Sequence, residues 1–144
     1  MAEFRDSVEI AVPPEVVFEY LTTAAGLTAW LGEYAELEPS PGGRFAVDIA
    51  GHPIRGQYLA VDRPHRVVVS WGVAGSEQLP AGASTVEFRL VPLAAGTRIE
   101  LTHADLPETE LRGHADGWTH FLLRLATAGA GGVPGPDDWR PLDD

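Results

Sequence analysis

Two histidines are the side chains of this 144-residue sequence that are best placed to take part in chemistry. His103 ends a predicted strand, on the apolar face that it shares with Ile99 and Leu101. A histidine there either anchors a polar ligand group or donates a proton at a cavity wall, or it is a structural residue bonded to backbone. His114 lies beside Phe121 at the border of the apolar stripe of a predicted helix, where it faces a cavity mouth or the rim. The sequence leaves both interpretations open for each histidine.

Other catalytic centres are not supported by the sequence. His114 and His120 are separated by about 120° around a helix, no H-E-x-x-H motif occurs, and cysteine is absent, so we predict no metal site. No G-x-S-x-G motif surrounds a serine, which argues against a serine nucleophile. The glycine-rich stretch 39–45 lacks the lysine of a phosphate-binding loop and leads into a strand, so we interpret it as a turn. We also predict no cofactor.

Aromatic and large apolar residues recur at strand and helix spacing, and they form either a plain core or the wall of a pocket. Pockets of this kind are lined by such side chains together with a few polar groups. The residues that we predict to line a ligand site are Trp30, Phe45, Tyr58, Trp71, Phe88, Leu101, His103, His114, Trp118, Phe121 and Leu122.

A long amphipathic helix over residues 107–128 is the element that must position this set. Pro107 suits its first turn, and Gly129 suits the left-handed position that ends a helix. The apolar stripe spans about 80° of arc. Its members are Leu111, Ala115, Trp118, Leu122 and Leu125.

Short segments in which apolar and polar residues alternate predict a mostly antiparallel sheet that wraps this helix. A helix is predicted to open at Pro14 and to be split by Gly26, with the second half ending at Leu31, so that two short helices close one end. The fold class is therefore α+β, with residues 1–129 as one domain and 130–144 as a tail that is mobile or held by Trp139 and Leu142. The predicted strands are 3–12, 33–38, 44–50, 54–61, 65–71, 85–91 and 97–103.

Composition excludes several classes of partner. The formal net charge is −11, which repels phosphate backbones, so we predict no nucleic-acid partner. No run approaches about 18 apolar residues, so we expect no stable membrane insertion and a cytoplasmic protein. All ten basic residues are arginine, which excludes Schiff-base chemistry on lysine. The sequence leaves open whether the protein forms a homodimer.

Six segments, in order, resemble the START-related superfamily that includes birch-pollen allergen and polyketide cyclases. The similarity covers roughly residues 4–128 and is strongest to the C-terminal domain of the activators of heat shock protein 90 ATPase. It implies a helix-grip fold with a deep apolar cavity between sheet and long helix. The segments are IAVPPEVVFEYLT (10–22), AWL (29–31), PGGRF (41–45), RGQYLAVDRPHRVVVSW (55–71), GTRIELTHADLP (96–107) and HADGWTHFLLRL (114–125).

Three functions follow as hypotheses from this pattern. The leading one is binding of a small apolar or aromatic molecule, including a lipid such as a long-chain fatty acid, between helix and sheet. The second is a cyclase- or hydratase-like enzyme that uses His103 or His114 with a nearby carboxylate as general acid or base. The third is a protein-interaction module of the chaperone-activator kind. The resemblance does not extend to the separate N-terminal domain with which eukaryotic activators engage the chaperone.

Overall fold

Alternating apolar residues form the strands of a seven-stranded antiparallel sheet, in the order β1-β7-β6-β5-β4-β3-β2. A computed structural model of the chain describes residues 2–137, 139 and 140. All seven predicted strands are confirmed, with ends shifted by a few residues. The strands are β1 (Ala2–Ile10), β2 (Tyr34–Leu37), β3 (Arg44–Ile49), β4 (His52–Asp62), β5 (Arg66–Trp71), β6 (Ser84–Leu93) and β7 (Gly96–Leu106).

The strand alternation sets which residues face the core. On β7, Ile99, Leu101 and His103 are buried together, as the sequence predicted, and Thr97 is buried with them. The alternation of β3 puts Ala46 on the face of Arg44 and Asp48, opposite Phe45 and Val47, but Ala46 is only 6% exposed. Arg55 lies directly opposite Ala46 on β4, and its guanidinium donates to Asp48 Oδ1 at 2.9 Å.

Two short helices precede β2, α1 (Pro14–Thr22) and α2 (Ala24–Thr28). The predicted split at Gly26 is wrong. The break lies at Thr23, whose extended backbone ends α1 and whose hydroxyl accepts a hydrogen bond from the Gly26 amide to cap α2. Gly26 is needed inside α2 because a side chain there would collide with the Glu19 carbonyl oxygen of α1.

The long helix α3 (Glu108–Gly129) confirms the predicted central element, although both predicted ends are displaced. Pro107 precedes the helix as its cap residue rather than lying in its first turn. Gly129 is the last helical residue and packs against Ile10, and it is Gly131 that takes the left-handed conformation, with φ +91°. The helix lies along the sheet with Trp118, Phe121, Leu122 and Leu125 buried.

The result is an α+β helix-grip fold, as predicted, with its core between the curved sheet, α3 and the two short helices. In the described part of the chain, no helix is long and apolar enough to cross a membrane.

Candidate functional site

A cavity of about 300 Å³ lies where α3 diverges from the β3–β5 half of the sheet. Strands β3 to β5 and the loop after β5 form one wall, α3 forms the opposite wall, and Trp139 of the tail lies at the side. The lining is mostly apolar, with few polar side chains. It consists of Leu31, Ile49, His52, Ile54, Trp71, Val73, Ser76, Glu110, Gly113, His114, Gly117, Trp118, Phe121 and Trp139.

Two glycines on the cavity side of α3 leave room for this space. A side chain at Gly113 would meet nothing within 4 Å, and one at Gly117 would lie 3.3 Å from the Trp139 ring. Glycine in a helix interior costs about 0.5–1 kcal/mol relative to alanine. Both glycines fall on the same face as Glu110 and Phe121, so the helix is least bulky where it borders the cavity.

Beneath the cavity, His103 is the centre of a buried hydrogen-bond chain. Strand register places Trp71, Ser84 and His103 on adjacent strands at the same end of the sheet. Trp118 Nε1–H of α3 donates to His103 Nδ1 at 3.0 Å, and His103 Nε2 lies 2.7 Å from Ser84 Oγ. The Ser84 hydroxyl in turn donates to the Trp71 carbonyl oxygen at 2.7 Å. Because an indole only donates, we assign His103 the tautomer with its proton on Nε2.

His114 on α3 makes the reverse connection and carries the opposite tautomer. Trp71 Nε1–H of the sheet donates to His114 Nε2 at 3.3 Å, so the proton lies on Nδ1, which bonds the Glu110 carbonyl oxygen at 2.9 Å. The two imidazole rings meet edge to face, with centroids 5.0 Å apart. One Trp–His hydrogen bond therefore runs from helix to sheet and the other from sheet to helix.

Burial favours the neutral form of both imidazoles. Loss of solvation, with a smaller contribution from His114, lowers the pKa of His103 from 6.5 to about 2. Loss of solvation also lowers the pKa of His114, although its hydrogen bond to Glu110 and the Glu110 charge oppose that shift. Both nitrogens of each ring have hydrogen-bond partners within the fold.

The predicted ligand residues divide into two groups. Trp71, His114, Trp118 and Phe121 line the cavity. Among the described residues, no carboxylate bonds the His103 ring, whose partners are the side chains of Ser84 and Trp118. Contact of any predicted residue with a ligand stays a prediction. The residues that lie in the core without lining the cavity are Trp30, Phe45, Tyr58, Phe88, Leu101, His103 and Leu122.

Sequence reasoning missed several lining residues, of which Glu110 and Gly113 carry the most information. The available signal was two glycines four apart inside a long helix, with a glutamate at the start of the same face. The others missed are Leu31, Ile49, His52, Ile54, Val73, Ser76, Gly117 and Trp139.

The tail returns along α3 and brings Trp139 to the cavity. Its indole stacks on His120, with centroids 6.1 Å apart, and meets Phe121 edge-on at 5.1 Å. Trp139 Nε1–H donates to Asp116 Oδ2 at 3.2 Å. The other residue predicted to hold the tail, Leu142, lies outside the described residues.

Over residues 2–137, 139 and 140, no three histidine, aspartate or glutamate side chains cluster closely enough to hold a metal ion.

The comparisons with known proteins agree on one family. Residues 11–129 match the sequence model of the family described as activator of Hsp90 ATPase homolog 1-like protein. An AHSA1-like protein from Rhizobium etli is 39% identical with a TM-score of 0.75, over 96% of this chain and 88% of that chain. An Hsp90 activator from Plasmodium falciparum is 27% identical with a TM-score of 0.75, over 91% of this chain and 97% of that chain.

A third solved structure, the Aha1 dimer from Colwellia psychrerythraea, is 23% identical with a TM-score of 0.75, over 89% of this chain and 96% of that chain, and it shares the fold. No curated protein sequence is significantly similar to this chain. The family match over most of the chain, together with the observed helix-grip fold, places this protein in the AHSA1-like family of the START-related superfamily.

Proposed function

We propose that this protein binds a small, mainly apolar or aromatic molecule in the cavity between α3 and strands β3 to β5. The observation that carries the proposal is the cavity itself, about 300 Å³ of space lined by three indoles and a phenyl ring. Clefts of this size, lined mainly by apolar and aromatic side chains with a few polar groups, are typical of small-molecule sites. The position of the cavity between the sheet and the long helix therefore supports a bound occupant.

The size and charge of the site favour a compact ligand over a long-chain fatty acid. Ligand pockets span about 300–1,000 Å³, and this cavity lies at the lower end of that range. The net charge of −11 and the Glu110 carboxylate in the lining both oppose entry of an anion. We therefore expect a ligand of two or three fused rings, neutral or cationic.

Binding is also favoured over catalysis by the two histidines. An acid–base role requires an imidazole nitrogen within hydrogen-bond reach of the substrate. Here the nitrogens of His103 and His114 are engaged with Ser84, Trp118, Trp71 and the Glu110 backbone. The rings support the cavity wall and do not present a free base.

A second candidate function is chaperone activation, which is favoured by the 27% identity to the Plasmodium falciparum Hsp90 activator. Such a role would require a docking surface. Among the described residues, the large hydrophobic side chains that are exposed lie on different elements of the fold. They are Val16, Tyr34, Leu59, Leu123 and Val133. Stimulation of Hsp90 ATPase activity by the purified protein would favour this candidate.

Isothermal titration calorimetry with 2-(1-naphthyl)ethanol tests ligand binding directly, because this neutral probe joins two fused rings to a short polar arm. We expect one-to-one binding with a negative heat-capacity change, the mark of apolar surface leaving water. Native mass spectrometry of the protein purified from its source would then reveal a retained natural ligand. The absence of binding heat at several temperatures, combined with an unliganded mass, would contradict the proposal.

A further inference from the structure

Among the described residues that line the cavity, there is one carboxylate and no arginine. The carboxylate is that of Glu110, in the first turn of α3. None of the ten arginines of the chain lines the cavity, and lysine is absent from the sequence. A cavity that served an anionic ligand would present the opposite pattern, since carboxylates and phosphates are held by arginine or lysine.

The Glu110 carboxylate has no cationic partner in the described part of the chain. Its only neighbour within ion-pair distance there is His114 Nδ1, 4.0 Å from Oε1. That nitrogen already donates to the Glu110 backbone oxygen at 2.9 Å, and burial lowers the pKa of the imidazole. The glutamate side chain is 27% exposed, and no arginine among the described residues lies within ion-pair distance of it. A charge in such a position gains most from a cation that enters with the ligand.

The remaining wall is rich in aromatic rings. Trp71 and Trp118 lie with centroids 5.1 Å apart, and Phe121 and Trp139 also lie 5.1 Å apart. Aromatic faces, those of tryptophan above all, attract cations through the negative potential over the ring. Several indoles beside one unpaired carboxylate form a surface that favours an organic cation over a neutral molecule of the same shape.

We propose that the ligand is an aromatic or apolar amine whose protonated nitrogen lies beside Glu110 while its ring body lies against the aromatic wall. This inference rests on the proposed function, since it names the ligand class of the same cavity. Glu110 and Gly117 are seven residues apart on α3, about 10 Å along the axis. A fused-ring body near Gly117 with an amine on a short arm spans that distance.

The test compares three probes that share one ring system and a two-carbon skeleton. They are 2-(1-naphthyl)ethylamine as the cation, 2-(1-naphthyl)ethanol as the neutral form and 1-naphthaleneacetate as the anion. Calorimetric titration at pH 7 should give the order amine, alcohol, anion, with the amine about tenfold tighter than the alcohol. Glu110→Gln should bring the amine to the affinity of the alcohol while leaving the alcohol's affinity unchanged. Glu108→Gln is the matched control, because it removes the same charge from an exposed position in the same helical turn.

The outcomes separate this inference from the proposed function. Equal binding of amine and alcohol to the unaltered protein would overturn the amine assignment and leave the apolar site intact. An equal loss of amine preference in both variants would also overturn it, because the preference would then come from the overall charge of the protein. Failure of all three probes to bind would contradict the proposed function itself. Loss of the preference in Glu110→Gln alone supports the assignment.

Discussion

Replacement of Gly113 by leucine should block the cavity without damaging the fold. Gly113 lies inside α3 with helical backbone, and a Cβ atom built there meets no atom within 4 Å. The leucine side chain would therefore project into open space that belongs to the cavity. Gly113→Ala is the matched control, because it makes the same change of backbone propensity but adds only a methyl group.

The stability change can be worked out from the helix. Glycine costs about 0.8–1.0 kcal/mol relative to alanine in a helix interior, and leucine is nearly as favourable as alanine. Both variants should therefore be more stable than the parent by close to 1 kcal/mol, which raises Tm by about 3 °C in a domain of this size. Apolar contact between the leucine and the cavity wall would add to that gain.

Differential scanning calorimetry measures the stability, and titration with 2-(1-naphthyl)ethanol measures the binding. We expect Gly113→Leu to unfold at or above the Tm of the parent protein. Its affinity for the alcohol should fall at least about tenfold, a change of about 1.4 kcal/mol in binding free energy. Gly113→Ala should bind within a few-fold of the parent. Parental affinity in the leucine variant would show that the ligand lies elsewhere, and a lower Tm would show that the space beside residue 113 is not open.

Three further predictions concern the buried hydrogen-bond chain and the tail. Trp118→Phe removes the indole N–H that donates to His103. It should lower the free energy of unfolding, measured in urea, by about 1–3 kcal/mol beyond the effect of its small loss of apolar area. A decrease below about 0.5 kcal/mol would refute the role of this bond. Burial lowers the pKa of His103 to about 2, so the folded chain stays unprotonated there while the unfolded chain binds a proton below 6.5. As the pH falls from 6 to 5, His103 should therefore lower the free energy of unfolding by up to about 1.4 kcal/mol per pH unit. His103→Gln should remove this contribution. A free energy of unfolding of the parent protein that stays constant over this range would contradict the prediction. Deletion of residues 131–144 should leave cooperative unfolding intact but weaken binding of the naphthyl alcohol, because it removes Trp139 from the cavity lining. Loss of the cooperative unfolding transition would show that the tail belongs to the core.

The sheet and its inward faces could be predicted because alternation is a local property of the sequence. Three residues of β7, Ile99, Leu101 and His103, were placed on the buried face from spacing alone, and the structure confirms them. Helix ends were less predictable. Gly26 and Gly129 were interpreted as breaks, but each permits a close contact inside its helix, with the Glu19 carbonyl and with Ile10 respectively. A glycine in a sequence does not show which of these two roles it fills.

The cavity itself could be predicted only in part. A helical wheel identifies the stripe that contains Trp118, but it does not show which half of the sheet the stripe leaves uncovered. The wall also includes Ser76 and Trp139, which lie in segments without periodicity. Their position depends on how a loop and the tail fold back, which is set by long-range contacts such as the bond from Trp139 to Asp116.

The indole resonances provide the most direct test of the central claim, because the chain has four tryptophans with different positions. Trp71, Trp118 and Trp139 line the cavity, whereas Trp30 is fully buried and donates its Nε1–H to the Tyr20 carbonyl oxygen. In ¹H–¹⁵N NMR spectra recorded during titration with 2-(1-naphthyl)ethanol, the Nε1–H signals of the three lining indoles should shift and saturate together, while the Trp30 signal stays in place. Unchanged signals from the three lining indoles, or an equal shift of Trp30, would contradict ligand binding in this cavity.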